Sequence, residues 1–126
     1  MTAHVQAENK LLAIIEFGGY PDFSPLYRRM GYSPQVVNSM REALKYLKKN
    51  SPRLIVTVFN DQSAFRDRLS SLESLIDVVQ RRPEIDVIVF YDKEFLHQFR
   101  RLEKQYKFFV ALAYPIDPAR LEAALN

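Results

Sequence analysis

Few residues of this 126-residue chain are of types that do chemistry, and their spacing removes several reactions at once. There is no cysteine, so disulfides, cysteine zinc sites, iron–sulfur clusters and thiol nucleophiles are excluded. The two histidines, His4 and His97, lie too far apart in sequence to form a local motif. His97 stands beside Phe95, Leu96 and Phe99, where it reads as a surface or boundary residue and not as a base. No Ser–His–Asp or paired-carboxylate arrangement is evident. Phe17-Gly18-Gly19-Tyr20 invites a phosphate-loop reading but has neither G-x-G-x-x-G nor G-x-x-x-x-G-K-[ST] spacing, so a loop turn accounts for it better. What remains is a pair of carboxylates beside apolar runs, Glu16 and Asp61, and an excess of aromatics. Nine Phe and seven Tyr are present, among them Phe17, Tyr20, Phe59, Tyr91 and Tyr114 at the ends of such runs. They either fill space there or line a partner or ligand surface, since aromatics concentrate at interface cores.

The elements that must position these residues can be read from periodicity. KLLAIIE at 10–16 is a short apolar run bounded by glycines, the mark of a strand buried on both faces. A helix is expected over about 22–30, with Phe23, Leu26, Tyr27 and Met30 on one side and Gly31 just past its end. Gln35 to Asn38 forms a second strand. Ser39 and Glu42 make a capping box for a helix with its apolar stripe at Met40, Ala43, Leu44 and Leu47. It ends at Lys48-Lys49-Asn50, before Pro52. RLIVTVF at 53–59 is the third strand, rich in β-branched residues. A long helix over about 64–82 follows, then a strand at 85–91. Asp92 can cap a fourth helix carrying Phe95, Leu96, Phe99, Leu102 and Tyr106. FFVALA at 108–113 is the fifth strand, and Asp117-Pro118 opens the last helix as N-cap and N1.

Unbroken apolar strands alternating with amphipathic helices imply an α/β fold with a parallel sheet covered on both faces, doubly wound by right-handed crossovers. Chemistry in such a sheet sits at the carboxyl ends of the strands. Length fits one domain: residues 1–9 are expected as a flexible or disordered N-terminus and 10–126 as the folded unit. The hydrophobic fraction of 48% and charged fraction of 26% are those of a globular protein. No apolar run reaches the roughly 18–20 residues of a membrane span, and no signal-peptide pattern opens the chain, so the expected location is cytoplasmic. Net charge is +3. The doublets Arg28-Arg29, Lys48-Lys49 and Arg81-Arg82 each fall in a last helical turn, where the helix dipole favours cations, and this account is preferred to a phosphate-binding patch.

Five βα units in about 120 residues, with Pro115 directly after the fifth strand, resemble the receiver domain of bacterial two-component response regulators, over nearly the whole chain. The resemblance implies a flavodoxin-like strand order of 2-1-3-4-5. It also implies an acidic pair after strand one, a phosphoacceptor aspartate ending strand three, a Thr or Ser after strand four and Lys-Pro after strand five. Clustered carboxylates would hold a divalent cation, and the metal and lysine would neutralise the transferred phosphoryl group. Here the first acidic position is Glu16, but its neighbour is Phe17. The acceptor position falls at Val58 when the strand is aligned on Pro52; a shift would bring Thr57, Asn60 or Asp61 nearby. The hydroxyl position is Tyr91 and the lysine position Tyr114. Pro115 alone matches, and the resemblance implies a cis Tyr114–Pro115 bond.

Loss of acceptor and lysine together points to a degenerate receiver: a non-enzymatic signalling or regulatory module, independent of phosphorylation, with no metal or cofactor. It would act on a protein partner or on itself. The resemblance offers the face made by helix four, strand five and helix five as a dimer or target surface, with Phe95, Phe99, Arg100, Arg101 and Tyr106 as contacts. A membrane partner is not expected, nor is nucleic acid for this domain alone. Two alternatives stand beside this reading: a small-ligand site at the aromatic strand ends, and an atypical receiver phosphorylated at Asp61.

Overall fold

In the computed structural model the described residues are 9–15, 22–59, 74–106, 108 and 110–125. They form five parallel strands in the order β2-β1-β3-β4-β5. In chain order these are β1 (Lys10–Ile14), α1 (Ser24–Arg29), β2 (Ser33–Val37), α2 (Met40–Lys49), β3 (Leu54–Phe59), α3 (residues 74–80), β4 (Asp86–Tyr91), α4 (Leu96–Gln105), β5 (Val110–Ala113) and α5 (Pro118–Leu125). This is the α/β architecture and strand order expected. The expected N-terminal arm (save Asn9), residues 16–21 and the first part of the long third helix lie outside the described residues.

Alternation along the strands divides the interior into two cores. On one side Leu12, Ile14, Ile55, Phe59, Val87 and Val89 pack under α2, α3 and α4, with Ala43, Leu47, Leu75, Ile76 and Phe99 from the helices. On the other, Leu11, Ala13, Leu54, Val56, Ile88 and Phe90 pack under α1 and α5, with Leu26, Tyr27, Leu121 and Leu125.

The helix ends show why these segments stop where they do. After α1, Gly31 takes φ +93°. Its N–H bonds the Arg28 carbonyl at 3.0 Å and the Tyr32 N–H bonds the Tyr27 carbonyl at 2.9 Å. Those two bonds are a Schellman closure, and the positive φ explains the glycine. Ser39 Oγ accepts from the Glu42 N–H at 3.1 Å. The Glu42 carboxylate reaches back one residue beyond the cap, to the Asn38 N–H. The Asp117 carboxylate accepts from the Ala119 N–H, with Pro118 first in α5. Several boundaries differ, notably at three element starts. β2 begins at Ser33 and includes Pro34, which an edge strand tolerates. The Asp92 cap opens a 3₁₀ turn, Lys93–Phe95, ahead of α4. β5 starts at Val110, two residues later than its apolar run.

Two polar ties matter. At the amino ends of the strands Asn50 gathers three elements. Its Oδ1 accepts from Lys10 Nζ, its Nδ2 donates to the Tyr46 carbonyl, and its own carbonyl accepts from Arg82. Across the other core, Arg29 pairs with Glu122 at 2.6 Å, and the Tyr32 hydroxyl donates to the Leu125 carbonyl at 3.3 Å.

Phe99 is 1% exposed. Its ring stacks on Tyr91 at 4.6 Å and on Phe108 at 5.7 Å. Phe99→Ala is therefore expected to lower unfolding free energy by about 3–5 kcal/mol, read from a urea midpoint. Thr57 is 1% exposed and its hydroxyl has no hydrogen-bond partner among the described residues. Thr57→Val removes a polar group buried at a cost and should raise stability by about 1 kcal/mol in the same assay; a fall would show that the hydroxyl is satisfied.

Candidate functional site

The strand order reverses between β1 and β3, so the crevice of this fold opens at the carboxyl ends of those two strands. Val58 and Phe90 are register partners there, and so are Phe59 and Tyr91. Tyr91 is also in register with Ala113, and its carbonyl accepts from the Tyr114 N–H at 2.8 Å. The Tyr114–Pro115 bond is cis. Four of the positions singled out in the sequence, Val58, Tyr91, Tyr114 and Pro115, thus stand at the ends of β3, β4 and β5. Glu16, Phe17, Tyr20 and Asp61 lie outside the described residues.

Among the described residues the aromatics at this end do not line one pocket. The pleat sends successive register pairs to opposite sides of the sheet. Phe59 and Tyr91 go to the core under α4, where both rings meet Phe99. Val58 and Tyr114 go to the core under α1 and α5, where Tyr114 meets Phe90 edge-on with centroids 6.1 Å apart. Phe23 of the α1 entry meets the same Phe90 ring at 6.0 Å. A single aromatic ligand pocket, offered as an alternative from the sequence, is replaced among the described residues by two packed clusters.

Between Val58 and Tyr114 a small space remains, about 10 Å³, walled by Ile15, Tyr27, Val56, Val58, Phe90 and Tyr114 among others. That is room for about one water. The described walls are apolar apart from two phenols. Tyr27 is 2% exposed, and burial, reinforced by the nearby Asp22 carboxylate, pushes its phenol far above the ordinary tyrosine value. Among the described residues no three His, Asp or Glu side chains come together as a metal site. A roomier concavity, about 480 Å³, lies at the opposite end of the strands, between α3, the start of β4 and Phe108. It is remote from the switch point.

The proposed contact residues separate sharply. Arg100 and Arg101 are exposed on α4 and Tyr106 is half-buried at its end. Phe99 is a core residue, so its expected place on a contact surface is corrected: helical spacing put it on the sheet side of α4. The side chain of Phe95 lies outside what the structure describes. Sequence reasoning missed that Phe90 is the hinge of the second aromatic cluster; it sits inside an unbroken apolar run, where no signal distinguishes it from its neighbours.

Neither known family models nor curated proteins match this sequence. Solved structures do. A response regulator receiver domain from Clostridium thermocellum superposes with a TM-score of 0.72 at 21% identity, over 93% of this chain and 90% of that one. The signal receiver domain of an HD domain-containing protein from Pseudomonas fluorescens gives 0.72 at 16% identity, over 94% and 91%. The pilus assembly protein CpaE from Caulobacter crescentus gives 0.65 at 18% identity, over 94% and 91%. With strand order, cis proline and both helical layers in place, this chain has the fold of the response regulator receiver domains.

Proposed function

We propose that this chain is a receiver-like signalling module that works without phosphotransfer and acts through protein–protein contacts. One observation carries the reading: where a phosphoacceptor and its lysine would stand, Val58 and Tyr114 form apolar packing around Phe90, with space for about one water. Phosphoryl transfer is catalysed by charge neutralisation at the transferred group. Val58 cannot accept a phosphoryl group, and a tyrosine packed on Phe90 supplies no cation.

The contact surface proposed is the face of α4, β5 and α5. The exposed Arg100 and Arg101 and the half-buried Tyr106 favour it, as does a shallow groove of about 390 Å³ along Arg100, Lys104 and Phe108. A second copy of the chain is the simplest occupant. Among the described residues no helix is long and apolar enough to cross a membrane.

Incubation with acetyl phosphate and magnesium should leave the intact mass unchanged. A phosphoryl adduct that disappears in Asp61→Asn would overturn the reading in favour of an atypical phosphorylated receiver. Light scattering over a concentration series should show association that Arg100→Glu with Arg101→Glu weakens while the melting temperature holds.

The dryness of the site has its own test. Burial holds the Tyr27 phenol neutral in the folded state, and it ionises at the ordinary tyrosine value of about 10 once unfolded. Its contribution is complete below that value and is lost as pH rises above it, because the unfolded chain then gives up the proton first. Tyr27→Phe should flatten the fall in unfolding free energy above about pH 10; an unchanged slope would mean that the phenol is solvated.

A further inference from the structure

The exposed side of α2 carries a charge arrangement that the helix does not need. Arg41, Lys45, Lys48 and Lys49 are all exposed and fall at i, i+4, i+7 and i+8, a stripe about 12 Å long on one face. Lys48 and Lys49 sit in the last turn, where the helix dipole favours them. Arg41 does not share that explanation: it lies in the first turn, at the positive pole. Lys45 stands one turn from Arg41 and one turn from Lys49, and like charges at that spacing oppose helix formation. The one carboxylate of the helix, Glu42, turns back to the Asn38 N–H and forms no ion pair with the four cations among the described residues. Among the described residues the sole ion pair is Arg29 with Glu122, so none of the four cations has a carboxylate partner there.

We propose that this face of α2 is a docking surface for an acidic segment of a protein partner, whose carboxylates meet Arg41, Lys45, Lys48 and Lys49. Charge complementarity sets the chemistry of the occupant, and the shape of the patch sets its class. Among the described residues the cationic stripe is two helical turns long and one helix wide, with the exposed Glu42 at its edge. Exposed Asp77 on α3 and Glu94 and Glu103 on or beside α4 interrupt the same sheet face. A nucleic-acid duplex, with a charge about every 1.7 Å of its axis, favours a broader cationic face than this. A bilayer would have only the charges to hold, because the apolar side of α2, Met40, Ala43 and Leu47, is buried in the core. A narrow acidic helix or strand matches both the length and the width. The surface lies apart from the α4–β5–α5 face and does not depend on whether the domain is phosphorylated.

The test is fluorescence anisotropy of a labelled Glu-rich helical peptide with carboxylates at i, i+4 and i+7, titrated with the full chain at low salt. Binding is expected, weakening as salt rises. Arg41→Glu with Lys45→Glu should reduce affinity by about tenfold or more, whereas Arg100→Glu with Arg101→Glu, the same charge change on α4, should leave it within about twofold. The melting temperature of the α2 variant should hold or rise, since repulsion between neighbours is relieved; a fall would mark the cations as structural. The proposal is overturned by no binding of the peptide, by equal losses in both variants, or by tighter binding to duplex DNA or to phosphatidylserine vesicles than to the peptide.

Discussion

Ile55 and Val56 are neighbours in β3, point to opposite sides of the sheet, and are both closed off from water. That double dryness is the constraint on which the rest of the molecule depends. A sheet with two apolar faces needs a helical layer on each, so the chain must cross over after every strand and alternate sides. Three helices take one face and two take the other. Once the faces are covered, the ends of the strands are where polar groups and a ligand can meet, and the reversal of strand order between β1 and β3 opens a crevice at one of those ends.

The same constraint shapes the described walls of that crevice. A working phosphoacceptor site interrupts the apolar packing at the strand ends with carboxylates, a lysine and a metal. Here the described part of the packing runs on to the end. Phe90 takes rings from Phe23 and Tyr114 on one side, while Tyr91 and Phe59 enter the other core through Phe99. A buried, neutral phenol at Tyr27 is the electrostatic counterpart of that packing. Among the described residues charge gathers instead on helix faces such as that of α2.

Much of the fold was legible because its boundaries are written in local chemistry. Ser39, Gly31 and the Asp117-Pro118 pair each satisfy or terminate a helix through groups within a few residues, so their meaning survives without tertiary information. The 3₁₀ turn at Lys93–Phe95 and the early start of β2 were not legible, because both depend on what the segment packs against. The site was half legible. Position along the strands placed Val58, Tyr91, Tyr114 and Pro115 at one end. Which side of the sheet each aromatic takes follows from register, and register is fixed by the neighbouring strand, not by the residue itself. Phe99 shows the same limit: a large aromatic at helical spacing serves a surface or a core equally well until the direction of the helix face is known.

The tie between α1 and α5 has a consequence for how the domain comes into being. Arg29 meets Glu122, and Tyr32 reaches the Leu125 carbonyl, so the first helix and the last are fastened across nearly the whole chain. The core beneath them, built on Leu11, Ala13, Ile88 and Phe90, has half its roof from α5. A growing polypeptide can shape the opposite layer as it emerges, since α2, α3 and α4 come in order beside strands already made. It cannot seal this one until the final helix has left the ribosome. The order of synthesis thus leaves one side of the sheet greasy and exposed for longest, and that side is where chaperones would be expected to hold it.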